Sequence, residues 1–290
     1  MTTTLLPRQI ASLSEIIDPF PAVLCDVWGV VHDGLAPLPT GIDALLAYRR
    51  RGGVVMLISN APRPAWAVME QMEGIGVDLD CGDDLITSGD VARSVLAEKP
   101  GARIFHLGPE RDQSIYQGLA VELSDLDSAD IVSCTGLFDD QTEQPEEYDP
   151  MLAEMKALDL PMICVNPDIV VESGNRLLPC AGALAARYAD IGGEATIVGK
   201  PNPPIYEMAL ARIDALVGTP VAPERVLAIG DGAGTDIVGA NRAGLETLFI
   251  ASGIHAAEYG AGEELDAEAV GTFLERRGAS ASFFMPRLSW

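Results

Sequence analysis

The chain has 290 residues, a length that predicts one large domain accompanied by a smaller one. Its 19 lysines and arginines against 43 aspartates and glutamates give a formal net charge of −24, which repels nucleic acid and anionic membranes and so excludes both as expected partners. A small anionic substrate remains compatible with this charge, because a metal ion or one lysine can reverse the potential inside a cleft.

The first strong pattern is an apolar run from residue 22 that ends in Asp26, after a short arm with a helical turn. It predicts a buried parallel strand that delivers a carboxylate to the carboxyl edge of a sheet. A helix with Thr40 as its N-cap follows, and the run 54–58 predicts a second strand that ends at Ser59. Because such crossovers are right-handed, the two strands should be parallel, with Asp26 and Ser59 at one edge.

The middle of the chain repeats this alternation of strand and helix. Apolar runs at 103–108, 131–136 and 162–167 predict strands, and the acidic segment 139–150 predicts a solvated loop. We therefore expect an α/β cap domain at 88–183, inserted into a doubly wound, Rossmann-like core of parallel strands formed by 1–87 and 184–290.

The core is predicted to resume with a strand near 195–199, before Lys200. The remaining pattern predicts a helix opened by Pro203 and Pro204, strands at 226–230 and 247–250, a helix at 267–276 and an aromatic end, Phe283, Phe284 and Trp290, that packs on the core.

Two strands of the predicted core thus end in an aspartate, at Asp26 and Asp231. Neighbouring strands lie about 4.8 Å apart, and two carboxylates at that distance repel each other unless a cation lies between them. Mg²⁺ fits such a gap and leaves room for a substrate phosphate. One oxygen of Asp26 can then bind the metal while the other attacks phosphorus, which gives an aspartyl phosphate.

Polar residues at the other strand ends complete this chemistry. Ser59 and Asn60 offer donors to phosphate oxygens, Lys200 offers a positive charge, and Asp236 can orient Lys200 or a metal-bound water. Each has a simpler interpretation: Ser59 and Asn60 as caps of the next helix, and Lys200 as a surface residue. Their order at successive strand ends favours the catalytic interpretation.

These motifs resemble those of the haloacid dehalogenase superfamily of phosphohydrolases, in the class with a large α/β cap between the second and third motifs. Segments 165–168 and 179–184 are similar to cap segments of nucleotide, phosphoglycolate, pyridoxal-phosphate and 4-nitrophenyl phosphate phosphatases. The four matching motifs centre on Asp26, on Ser59 and Asn60, on Lys200, and on Asp231 with Asp236. The resemblance implies that Asp168 faces the core cleft and helps to select the substrate.

One position departs from the family pattern. Two residues after the nucleophile the family has an aspartate that acts as general acid and then as base, and this chain has Trp28. The resemblance implies that the metal ligand at this position is the backbone carbonyl, which Trp28 retains. The acid is lost, and positioned acid–base catalysis contributes roughly 10²–10⁴-fold. His32 or Asp33 could replace it, or both could be solvated turn residues.

The sequence therefore predicts a Mg²⁺-dependent phosphohydrolase acting on a small-molecule phosphate ester. A regulatory pseudoenzyme that binds a phosphate ligand without turnover is the alternative, which Trp28 favours. A third interpretation, a metal-independent dehalogenase, is disfavoured because it would give Asp231 and Asp236 no role. The sequence identifies neither the ester nor the pathway.

The cysteine content and the first residues of the chain indicate the cellular compartment of the protein. The five cysteines form no CxxC pair, which indicates buried free thiols in a reducing compartment. We see no signal peptide pattern and no apolar run approaching ~18 residues. We therefore expect a cytoplasmic protein, and the sequence is compatible with a homo-oligomer.

Overall fold

The computed structural model describes residues 6–173, 176–251, 256–260 and 265–290. The first five residues of the predicted arm lie outside these ranges. The chain divides into two compact units, one formed by Met1–Ser59, Met69–Ile86 and Tyr206–Trp290 and the other by Asn60–Val68 and Thr87–Ile205. The predicted limits of a core at 1–87 and 184–290 and a cap at 88–183 stay a prediction.

Within the described ranges, the first unit is built on a seven-stranded sheet. Its central strands are apolar and fully buried, as expected for a parallel sheet that is covered on both faces. The strands lie in the order Arg8–Gln9, Phe283–Met285, Glu246–Ile250, Val226–Gly230, Ala22–Asp26, Val54–Ser59 and Asp84–Thr87.

The strand order reverses between Ala22–Asp26 and Val226–Gly230. These two strands are parallel neighbours, with Ile229 opposite Cys25, and the chain continues outward from them in opposite directions. Val54–Ser59 is also parallel to Ala22–Asp26, which confirms the predicted crossover. Ligands of open α/β sheets bind outside the carboxyl ends of the strands at such a reversal. The predicted α/β fold is confirmed, and the two aspartate-terminated strands meet at this point.

In the described part of the second unit, a five-stranded sheet and a two-stranded hairpin are present. The pairings of the larger sheet are parallel, and those of the hairpin are antiparallel. The larger sheet has the order Ala195–Ile197, Met162–Cys164, Ile131–Cys134, Arg103–Leu107 and Glu122–Leu123, and the hairpin joins Val170–Ser173 to Arg176–Pro179.

Helices connect these strands, and their starts and ends follow local rules. Pro203 opens one helix, and Gly244, in the left-handed region at φ 75°, closes another. The α-helices are Pro39–Arg50, Ala65–Gly74, Ser88–Ala97, Asp149–Ala157, Ala181–Asp190, Pro203–Val217, Val238–Ala243, Ala256–Tyr259 and Ala267–Arg276.

Four local predictions are corrected. Thr40 is not an N-cap, because the helix already starts at Pro39, whose lack of an N–H costs nothing in the first turn. The predicted core strand at 195–197 pairs instead with Met162–Cys164 in the second sheet. The acidic loop contains a 3-10 helix, Pro145–Tyr148, with a buried tyrosine. Of the aromatic end predicted to pack on the core, Phe284 is fully buried, whereas Trp290 is 38% exposed.

The prediction of buried free thiols is confirmed, because all five cysteines lie in the described ranges and each is a buried free thiol. Among the helices that the structure describes, none combines the length and apolar character needed to cross a membrane.

Candidate functional site

Three carboxylates of the first unit converge at the reversal point of its sheet. Each of Asp26, Asp231 and Asp236 offers an oxygen, and these oxygens all lie within 4.8 Å of one another. Asp26 and Asp236 are each only 5% exposed. Buried carboxylates this close repel one another, and their oxygens suit a hard divalent cation. The cluster therefore suits a Mg²⁺-type ion, and Asp236 lies within 4.8 Å of the predicted pair.

Two glycines allow the carboxylates to approach the backbone. A Cβ on Gly29, where φ is 84°, would lie 2.2 Å from Oδ2 of Asp231, and a Cβ on Gly230 would lie 2.4 Å from Cγ of Asp236. Any larger residue would displace an acidic side chain, so these glycines are part of the site. In addition, the backbone N–H of Gly232 donates to Oδ2 of Asp236 at 2.9 Å, which fixes that carboxylate.

Asp26 and Ser59 end adjacent strands, as predicted. Ile58 is the register partner of Asp26, so Ser59 is the next residue along the same edge, and it is 7% exposed. The backbone N–H of Val27 donates to Oδ1 of Asp26 at 2.8 Å. This bond orients the carboxylate.

The loop after Asp26 is organised around the Trp28 indole. A Cβ on Gly34 would lie 2.4 Å from Cζ2 of Trp28, so the ring packs directly on that glycine. The His32 ring meets the indole edge-on at 5.1 Å between centroids. His32 is 3% exposed and therefore buried, which contradicts its interpretation as a solvated turn residue.

His32 and Asp33, the two candidate replacements for the missing acid, both accept hydrogen bonds from nearby backbone N–H groups. The N–H of Gly34 donates to Nδ1 of His32 at 2.9 Å, and burial lowers the pKa of His32 to about 4, so the ring is neutral at pH 7. Asp33 accepts from the N–H groups of Leu35 and Ala36, each at 2.9 Å, and these bonds lower the pKa of Asp33. Neither group has the raised pKa of an efficient proton donor near neutrality.

In the second unit, the Asn60 side chain forms hydrogen bonds to three residues, Asp168, Lys200 and Ser88. Its Nδ2 donates to Oδ1 of Asp168 at 3.0 Å and to the carbonyl of Lys200 at 3.3 Å. Its Oδ1 accepts from the N–H of Lys200 at 2.8 Å and from Oγ of Ser88 at 3.1 Å. Asn60 therefore does not cap the next helix, and it ties together segments that are far apart in the sequence.

Lys200 is 3% exposed, so its interpretation as a surface residue is wrong. Gly199 precedes it at φ 95°, and a Cβ there would lie 1.9 Å from Oγ of Ser88 and 2.7 Å from Oδ1 of Asn60. Sequence reasoning missed Ser88, although its position directly after a strand was a signal. The structure thus groups Asp26, Asp231 and Asp236 within the first unit, and Asn60, Asp168 and Lys200 within the second.

We expect Asn60→Ala to lower the free energy of unfolding by about 3 kcal/mol, because it leaves buried partners without their hydrogen bonds at about 1–3 kcal/mol each. Urea titration followed by circular dichroism measures this loss. The matched control is Asn202→Ala, which removes one bond to the carbonyl of Ile197 and should cost less than about 1 kcal/mol. Equal losses in the two variants would contradict the bridging role of Asn60.

Comparisons with known proteins agree with this geometry. A family model described as haloacid dehalogenase-like hydrolase matches residues 23–122, and a second model of HAD-like hydrolases matches residues 197–274. Together these ranges contain the acidic cluster of the first unit as well as Asn60 and Lys200.

A crystal structure of a hydrolase of the haloacid dehalogenase-like family from Brucella suis 1330 is 43% identical and covers 98% of this chain and 100% of its own, with a TM-score of 0.86. D-glycerol 3-phosphate phosphatase from Mycobacterium tuberculosis is 28% identical over 84% of this chain and 67% of its own length. Ribonucleotide monophosphatase NagD from Escherichia coli is 26% identical over 80% of this chain and 88% of its own. The resemblance inferred from the motifs is confirmed, and the chain belongs to the haloacid dehalogenase-like hydrolase family.

Proposed function

We propose that this protein is a Mg²⁺-dependent phosphohydrolase that hydrolyses a small phosphate ester through an aspartyl-phosphate intermediate. The observation that carries the proposal is the convergence of Asp26, Asp231 and Asp236 at the reversal point of the first sheet. The two named relatives above are both phosphatases of small phosphate esters, which supports the same reaction class.

Asp26 is the nucleophile in this proposal. Its carboxylate oxygen forms a bond to phosphorus while the ester P–O bond breaks, and the leaving oxygen takes up a proton. Water then attacks the aspartyl phosphate, which releases inorganic phosphate and restores the carboxylate. The hydrogen bond from Val27 holds the carboxylate in one orientation during attack.

In this proposal, Asp26, Asp231 and the backbone carbonyl of Trp28 would hold the cation. When bound, it supplies positive charge that offsets the negative charge of the phosphate oxygens. Asp236 is fixed by the N–H of Gly232 and orients the ligands around it. The three converging carboxylates support this assignment, since without a cation they would repel one another.

Ser59, Asn60 and Lys200 bind the phosphate oxygens in this proposal, the first two as neutral donors and Lys200 as a cation. Asp168 contributes to substrate selection. The hydrogen bond of Asn60 to Asp168 supports a link between the phosphate-binding and the selecting residues.

Trp28 supports a second candidate, a protein that binds a phosphate ligand without turnover. Its side chain can neither donate a proton to the leaving oxygen nor activate water, and neither His32 nor Asp33 is well suited to replace it. A screen of phosphate esters with and without Mg²⁺ separates the two candidates. Turnover that requires Mg²⁺ supports the hydrolase, and binding of phosphate without turnover of any ester supports the second candidate.

Asp231→Asn should weaken Mg²⁺ binding about 100-fold, because one of the charged oxygens around the cation becomes a neutral amide. Isothermal titration calorimetry of both proteins with MgCl₂ measures the change. Asp43→Asn, which neutralises an exposed carboxylate on the helix Pro39–Arg50, is the control and should leave the affinity unchanged. If Asp231→Asn binds Mg²⁺ as tightly as the wild type, the metal assignment is wrong.

A further inference from the structure

Tyr259 carries a buried hydroxyl that makes no hydrogen bond to any residue in the described ranges. The residue is 4% exposed, so bulk water does not reach the hydroxyl either. A buried polar group without a partner is unfavourable, and in native proteins it calls for a specific explanation. One such explanation is that the hydroxyl forms its hydrogen bond only when a ligand is bound.

The aromatic ring of Tyr259 is held rigidly by its neighbours. It meets the Phe273 ring edge-on at 4.6 Å and the Phe249 ring at 5.8 Å between centroids. The same apolar cluster contains Ala233 and Ile237, which flank the Asp236 turn. Tyr259 therefore belongs to the same apolar cluster as the segment that carries Asp236.

The strand register of the first sheet also supports a position of Tyr259 near Asp231. Phe249 pairs with Gly230, and Gly230 directly precedes Asp231. Burial and the nearby negative charge of Asp231 both raise the pKa of Tyr259. The hydroxyl therefore keeps its proton at neutral pH and remains a hydrogen-bond donor.

We infer that Tyr259 is a positioning residue of the metal site, whose hydroxyl donates a hydrogen bond to the Asp231 carboxylate when a divalent cation is bound. This inference rests on the proposed function, which assigns Asp231 as a metal ligand. Carboxylate ligands are commonly oriented by such outer donors, and loss of the donor typically weakens metal binding about 10–100-fold. This hydrogen bond would give the buried hydroxyl of Tyr259 a partner.

The test is Tyr259→Phe, which removes the hydroxyl and keeps the packed ring. Calorimetry should show Mg²⁺ binding weakened about 10–100-fold. The Tm of the metal-free variant should be no lower than that of the wild type, because the hydroxyl has no hydrogen bond to lose in that state. A residue with a merely structural role would instead lower the metal-free Tm and leave the Mg²⁺ affinity unchanged.

Tyr48→Phe is the matched control. Tyr48 is another buried tyrosine of the same unit, and its hydroxyl donates to the carbonyl of Phe20 at 2.7 Å. Its loss should lower the metal-free Tm and leave the Mg²⁺ affinity unchanged. If Tyr259→Phe binds Mg²⁺ like the wild type, the inference is overturned while the proposed function stands. If the wild type itself binds no Mg²⁺, both are overturned.

Discussion

Asp26→Asn is expected to lower kcat for phosphate-ester hydrolysis by about 10⁴-fold or more, because an amide oxygen is too weak a nucleophile to attack phosphorus. The substitution preserves the shape of the side chain and its place at the end of the strand, so the fold should be retained. Steady-state kinetics with 4-nitrophenyl phosphate and saturating Mg²⁺ measure the loss. Intact mass spectrometry should detect covalent phosphate on the wild type and none on the variant.

Asp43→Asn serves as the control here as well, since it also replaces one carboxylate of the first unit by an amide but lies on an exposed helix surface. It should keep kcat within about twofold of the wild type, in line with the small effects of most surface substitutions. If Asp26→Asn kept kcat within tenfold of the wild type, Asp26 would not be the nucleophile, and an activated water would have to attack phosphorus directly.

The acidic cluster was accessible to sequence reasoning because its main determinants are local. A fully apolar run that ends in an aspartate predicts both a buried strand and the edge at which it ends, and this pattern occurs at Asp26 and at Asp231. The handed crossover of strand–helix–strand units then places both ends at one edge, whereas the adjacency of the two strands is given by the observed strand order. Asp236 was expected only to orient other groups, because its distance to Asp26 depends on the single turn of helix at Ala233–Ile237.

The second unit was harder to predict because its key contacts join distant parts of the chain. The bond of Asn60 to Asp168 spans 108 residues, and that of Asn60 to Lys200 spans 140. No periodicity or local motif encodes such pairs. The strand Ala195–Ile197 was assigned to the wrong sheet for the same reason, since an apolar run indicates a strand but does not specify its partner.

Tyr259 illustrates a different limit of sequence reasoning. A tyrosine in a short helix gives no signal in the sequence, because tyrosine is common both in cores and on surfaces. Its significance depends on a hydroxyl that lacks a partner within the described ranges, which only coordinates can reveal. The same holds for Gly29, whose close approach to Asp231 is visible only in the structure.

In the proposed reaction, Trp28 should determine which esters this protein hydrolyses. A departing alkoxide needs a proton in the transition state, whereas a nitrophenolate hardly does. Trp28 has no acid to offer, His32 is neutral at pH 7, and the pKa of Asp33 is lowered by its turn. The rate of ester hydrolysis by the wild type should therefore depend strongly on the leaving group. Its aspartyl phosphate should hydrolyse slowly, because the base that would activate water is also missing.

Trp28→Asp should raise kcat/KM for alkyl phosphates by roughly 10²–10⁴-fold relative to Trp28→Ala, because only the aspartate restores a proton donor. The comparison with alanine is required because both variants lose the packing of the indole on Gly34, which should cost each of them about 2 kcal/mol of stability. A plot of log kcat/KM against leaving-group pKa should be steep for the wild type and Trp28→Ala and flatter for Trp28→Asp.

The same substitution should change the time course with an activated aryl phosphate. Rapid quench of the wild type with Mg²⁺ should show a burst of the phenol followed by a slower steady state, with phosphate held on Asp26, since attack on phosphorus outpaces hydrolysis of the intermediate. In Trp28→Asp the burst should disappear, because the aspartate accelerates the attack of water on the intermediate.

A flat leaving-group plot without covalent phosphate in the wild type would mean that His32 or Asp33 already supplies the acid and base. Absence of both turnover and adduct with every ester, together with binding of phosphate, would instead identify a phosphate-binding protein, because a nitrophenolate hardly needs a proton to leave and a competent Asp26 would still form the adduct.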